Sequence, residues 1–139
     1  MTVKIDGSTG VDKVQPLSIE QEDLKWVPPF TKEFVSSQQT ITIAGQLALA
    51  HGFGSVPKMT EMELVCVTAD AGCSAGDIIP LTGFFYTTNV TNYSGVQVTK
   101  NATNLLVRFG ASNLTVMNSS GVINIITPAN WRLIVRAWA

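Results

Sequence analysis

Few side chains here could do chemistry. His51 is the one histidine, Cys66 and Cys73 are the two cysteines, and no Asp or Glu follows Asp77. Nucleophilic catalysis would require a Ser or Cys within reach of His51 and a carboxylate to orient the ring. No spacing encourages that arrangement, and a lone histidine beside the glycines of Ala50-His-Gly-Phe-Gly-Ser-Val-Pro57 reads as a hydrogen-bonded structural residue. No nucleophile elbow, P-loop or His-Glu-x-x-His pair is expected. The segment Asp6–Asp12 matches a calcium loop only at its two ends, lacking the intervening carboxylates and the closing Glu. Two cysteines seven apart, one in an apolar run and one in a Gly-Ser turn, suit a buried Cys66 and a free Cys73. The expectation is a protein that is not an enzyme and needs no cofactor.

One stretch has the chemistry of sugar binding. Phe84-Phe85-Tyr86, Asn89, Asn92 and Tyr93 combine aromatic faces with amides, which suit stacking and hydrogen bonding to a neutral glycan. Alternation puts Phe84 and Tyr86 on one strand face, and Asn89–Gly95 reads as a polar loop with Tyr93 at its tip. The candidate ligand residues are Tyr86, Asn89, Asn92 and Tyr93. The same composition also suits core plus turn. Five Asn-x-Ser/Thr triplets, beginning at Asn89, Asn92, Asn101, Asn113 and Asn118, follow from a chain rich in Asn and Thr and become glycosylation sites only in a secreted eukaryotic setting.

The elements that position these residues are strands. At 139 residues the chain suits one domain, which can bury roughly two thirds of its unfolded surface. Charged residues make up 14% of it, well below the usual quarter, so Thr, Ser, Asn and Gly must fill the polar positions. With a net charge of −1, the whole chain gives no electrostatic reason to bind nucleic acid. No apolar run approaches the ~20 residues of a membrane helix and no secretory core opens the chain, so neither membrane insertion nor processing is expected. Charge is uneven, however: residues 1–77 carry a net −5 and residues 78–139 a net +4. That asymmetry fits either chance or assembly in which an acidic front meets a basic back.

From Thr31 onward the pattern has period two. Strands are expected at 39–43, 46–50, 58–70, 83–88, 96–99, 104–109, 114–117, 121–126 and 131–138, separated by Gly, Asn and Ser, with Gly45 turning the chain. This is an all-β class, an antiparallel β-sandwich or barrel. Residues 1–30 read differently, as an extended arm ending at Pro28-Pro29, with a short helix-compatible piece at 18–25 that Ser18 can cap. Trp26, Val27 and Phe30 are its large apolar cluster and its candidate docking residues. The expected division is thus arm 1–30 and head 31–139.

The last strand has two faces. Trp131, Leu133, Val135 and Ala137 share one, while Arg132, Ile134, Arg136 and Trp138 share the other. An edge strand facing water would not expose Ile and Trp beside its arginines, so the second face is expected to pack on another subunit or sheet. The alternative is a sandwich strand whose arginines snorkel to the rim.

The opening Met1-Thr-Val-Lys-Ile-Asp-Gly-Ser-Thr-Gly-Val-Asp-Lys-Val-Gln-Pro16 resembles the virion-proximal start of tailed-bacteriophage tail fibre proteins. The segment His51-Gly-Phe-Gly-Ser-Val-Pro57 between two strands is similar to one in phage fibre heads and, more loosely, in trimeric β-sandwich lectins of the H type. The segment Gly72–Leu81 suits that pattern too, with Cys73 where an aromatic would stand. What the resemblance implies is a bacteriophage virion structural protein of the tail fibre, baseplate or capsid surface, assembled in the bacterial host cytoplasm. It further implies a homotrimer, other virion proteins held through the arm, and host adhesion to a surface glycan as a candidate added role. The alternative is a free carbohydrate-binding module, which would have no use for thirty docking residues.

Overall fold

Alternating apolar positions fold the described residues into two larger antiparallel sheets and a two-stranded ribbon around one core. The computed structural model describes residues 28–81, 85–89 and 92–139. In chain order the strands are β1 (Glu33–Val35), β2 (Gln39–Thr40), β3 (Gln46–Ala50), β4 (Met59–Cys66), β5 (Ile78–Pro80), β6 (Phe85–Asn89), β7 (Asn92–Lys100), β8 (Asn104–Phe109), β9 (Thr115–Met117), β10 (Ile123–Ile125) and β11 (Trp131–Trp138). The first sheet has β11 in its interior, with β4 and then β5 on one side and both β1 and β2 on the other. The second runs β3-β8-β7-β6, and β9 pairs with β10 in a separate ribbon.

Period two explains which side chains go inside. Met62, Leu64 and Cys66 of β4 and Trp131, Leu133, Val135 and Ala137 of β11 are buried, and across the core so are Leu105, Val107 and Phe109 of β8 and Val96 of β7. The short strands β1 and β2 act as one interrupted edge. Ser36 bridges them, its N–H donating to the Val135 carbonyl at 2.9 Å and its hydroxyl accepting from the Val135 N–H at 2.9 Å. A buried hydroxyl thereby satisfies the backbone of β11 where no paired strand residue does so.

Several sequence expectations shift. The strand expected over 39–43 pairs only at Gln39 and Thr40, because the chain then dips to bury Ile41 and turns at Ala44, which takes φ 60° and donates its N–H to Gly110. Gly45 is needed for room, since a Cβ there would lie 2.7 Å from the Thr42 carbonyl oxygen. The run expected over 58–70 stops at Cys66, where the N–H groups of Val67 and Thr68 turn to the Asn130 carbonyl. Of the polar loop expected at 89–95, residues 89 and 92–95 are strand. Asn92–Lys100 is continuous strand, with Thr87 paired to Tyr93 and Asn89 to Asn92. Thr, Tyr and Val are strong strand formers, and here they outweigh the turn preference of Asn, Ser and Gly. Residues 90 and 91 between the two strands, and Phe84 before them, lie outside the described residues.

Of the expected arm, residues 1–27 lie outside the described residues, and with them Trp26 and Val27. Its last residues touch the head. The Lys58 ammonium donates to the Pro29 carbonyl at 2.8 Å, and the Phe30 ring lies 6.4 Å from that of Trp138.

Candidate interaction surface

The second face of β11 belongs to an interior strand, not an edge. Antiparallel pairing places opposed residues on the same side. The register sets Trp138 between Glu33 and Met59, Arg136 between Val35 and Glu61, Ile134 beside Glu63 and Pro80, and Arg132 between Thr40 and Val65. This outer face is a grid of apolar and charged side chains. Val35 is 45% exposed, Met59 44% and Ile78 57%, while Arg132, Ile134, Arg136 and Trp138 are half-buried among their neighbours. Arg136 reaches diagonally to Glu63, Nε to Oε2 at 3.1 Å, across partly exposed surface where such a pair contributes little stability. Arg132 donates to the carbonyls of Ala129 and Trp131 at 3.0 and 2.7 Å.

His51 is structural in its contacts. It is buried, its Nδ1 accepting from the Phe53 N–H at 3.2 Å and its Nε2 lying 2.9 Å from the Asn101 carbonyl. Those two partners assign the proton to Nε2, and neither nitrogen is left for a reaction. The ring pins the turn from β3 to β4, where Gly52 and Gly54 take φ of 70° and 73°, values that side chains other than glycine's rarely adopt. We predict that His51→Ala lowers stability by about 2 kcal/mol, because the buried Phe53 N–H loses its acceptor. Urea unfolding measures this, and a loss near zero would mean that the ring pins nothing.

Gly72-Cys73-Ser74-Ala75-Gly76 spells Gly-x-Ser-x-Gly, a match that the expectation of no nucleophile elbow overlooks. The structure does not build an elbow from it. That motif needs a sharp strand-to-helix turn with a histidine at hand, whereas this segment joins β4 to β5 and is held by mutual backbone bonds between Asp70 and Cys73. The Ser74 N–H donates to the Asp77 carboxylate at 2.8 Å, and the only histidine is engaged elsewhere. Cys66 is buried, and both cysteines are free. Burial pushes the Cys73 thiol up, and the Asp77 carboxylate adds to it, which disfavours a reactive thiolate. Among the described residues no three His, Cys, Asp or Glu gather as metal ligands.

Asp70 is the polar residue whose role the sequence conceals. Its carboxylate accepts from the Thr127 N–H at 2.6 Å and from the Trp131 indole N–H at 2.9 Å, so it fastens the β4–β5 connection to the start of β11. The Thr127 amide holds the Asp70 carboxyl below the usual carboxylate range against the opposing pull of desolvation, with the indole assisting.

The candidate ligand residues Tyr86 and Asn89 stand in β6, and Asn92 and Tyr93 in β7, so by backbone they form a hairpin at the end of the second sheet. Elsewhere, a small apolar groove of about 180 Å³ separates β5 from the β9–β10 ribbon, lined by Ile79, Leu81, Val96, Leu114, Met117 and Ile123 among others. It has no charged lining residue and is smaller than the cavities that usually hold small molecules. In the comparisons with known proteins, no family model matches the chain and no curated protein matches it.

Proposed function

We propose that the chain is a structural component of a tailed-bacteriophage virion, a homotrimeric β head joined to other virion proteins through residues 1–30. The observation that carries this reading is the opening Met1–Pro16 and its resemblance to the virion-proximal start of tail fibre proteins. The segment Ala50–Pro57 supports it: it joins β3 to β4 through left-handed Gly52 and Gly54, the part that the resemblance gives to such a segment. A head of this kind needs rigidity and a contact surface, not a reaction centre. The antiparallel sandwich supplies the first, and the mixed outer face of the first sheet offers the second.

The test is direct. An antibody raised against the chain should label purified virions at a fixed position, and light scattering of the purified chain should give three times 14.9 kDa. Virions that carry no label, or a monomer at micromolar concentration, would remove the reading's two main claims separately.

A further inference from the structure

We infer that copies of this chain meet through the outer face of the first sheet, with the Arg132 end of one copy against the Glu61 and Glu33 end of the next. The inference rests on the homotrimeric reading and adds the surface and its polarity.

The apolar part of the face asks for cover. Val35, Met59, Ile134 and Trp138 lie on it in adjoining rows, and Phe30 extends the patch past Trp138. A solvated sheet face is ordinarily polar, so large apolar side chains exposed in adjoining rows point to an interaction site.

The charges identify what covers it. Arg136 and Glu63 already satisfy each other within the face. Arg132 donates to main-chain carbonyls and, among the described residues, forms no bridge to a carboxylate. Glu33 and Glu61 likewise have no bridging cation among the described residues, because Lys32, Lys58 and Lys100 donate to the carbonyls of Phe53, Pro29 and Lys58. The unbridged groups are separated along the strands. Glu33 lies in the row of Trp138 and Glu61 in that of Arg136, so Arg132, towards the other end of β11, is about 20 Å from the first row and about 13 Å from the second at the usual rise of a strand. The face is therefore acidic at one end and basic at the other. In a ring of copies, one neighbour supplies the missing partner at the Arg132 end and the other neighbour at the Glu33 and Glu61 end, whereas like ends repel. Such a contact joins two different patches, and copies related by rotation close it into a ring.

The test is a charge exchange on the full chain, read as mass by light scattering and as dissociation by dilution, with thermal melting to show that each variant is folded. Arg132→Glu and Glu61→Arg should each weaken assembly by at least tenfold, and the double variant should regain most of the loss. A wild-type chain that is monomeric removes the homotrimeric reading, and this inference with it. An assembled wild type that neither single variant disturbs overturns the inference alone, as does a double variant no better than the singles. Loss of assembly on removal of residues 1–27, with both charge variants still assembled, overturns it in favour of a contact made by the segment before Pro28.

Discussion

Trp131→Ala should destabilise the protein by about 4 kcal/mol, the scale of a large aromatic removed from a packed core. The side chain is fully buried at the start of the strand that links most of the first sheet. Its removal leaves a cavity and also strips the indole N–H from Asp70, so one substitution breaks a packing contact and a charge-assisted hydrogen bond together. A domain of this size has about 5–15 kcal/mol in hand. The variant should therefore survive only near the edge of stability, with a melting temperature lower by ten degrees or more. Trp131→Phe separates the two contributions, because it keeps most of the volume and loses the N–H. A Trp131→Phe variant as unstable as Trp131→Ala would show that the hydrogen bond, not the volume, is decisive.

Asp70→Ala is expected to cost about 2 kcal/mol, since it leaves the indole N–H of a fully buried Trp131 without an acceptor and frees the Thr127 amide. This loss depends on pH, with a sign that follows from the lowered folded-state value. Unfolded, the carboxyl titrates at about 3.9. Folded, it titrates lower, because the Thr127 amide and then the indole favour the ionised form over the cost of desolvation. The contribution is thus fully present above the unfolded value and fades as pH falls through the folded one. Urea unfolding of wild type and Asp70→Ala at pH 7 and near pH 2 should show the gap between them shrinking in acid. A gap that stays constant would mean that Asp70 stabilises by shape alone.

Much of this fold can be read from alternation, and the exceptions have physical causes. In β11, β8 and β3 the apolar residues recur at period two without interruption, and the expected strands match the observed ones to the residue. The two faces of β11 separate as the spacing predicts, with Trp131, Leu133, Val135 and Ala137 inside. The mixed second face argues against a water-facing edge, but the spacing does not reveal which strands flank β11 or that Glu61 and Glu63 stand beside its arginines, since those pairings join residues far apart in sequence. The hairpin of β6 and β7 escaped because Asn and Ser mark turns in isolation, whereas Thr and Tyr within a paired ribbon favour the strand. His51 was legible as structural from its solitude beside two glycines. The bond from Asp70 to Trp131 was not, because it joins residues far apart in sequence and no local pattern announces it.

The interior place of β11 has a consequence for how the protein is made. Synthesis runs from the amino end, so β1, β2 and β4 emerge before β11, yet all three pair with it. Until residues 131–138 appear, those strands have open edges and no Trp131, Leu133 or Val135 to cover their apolar sides. Pairings this distant are slow to close and prone to aggregate while they wait. The first sheet can be completed only once residues 131–138 have been released, so a ribosome that stalls before β11 leaves a product that cannot be rescued by folding.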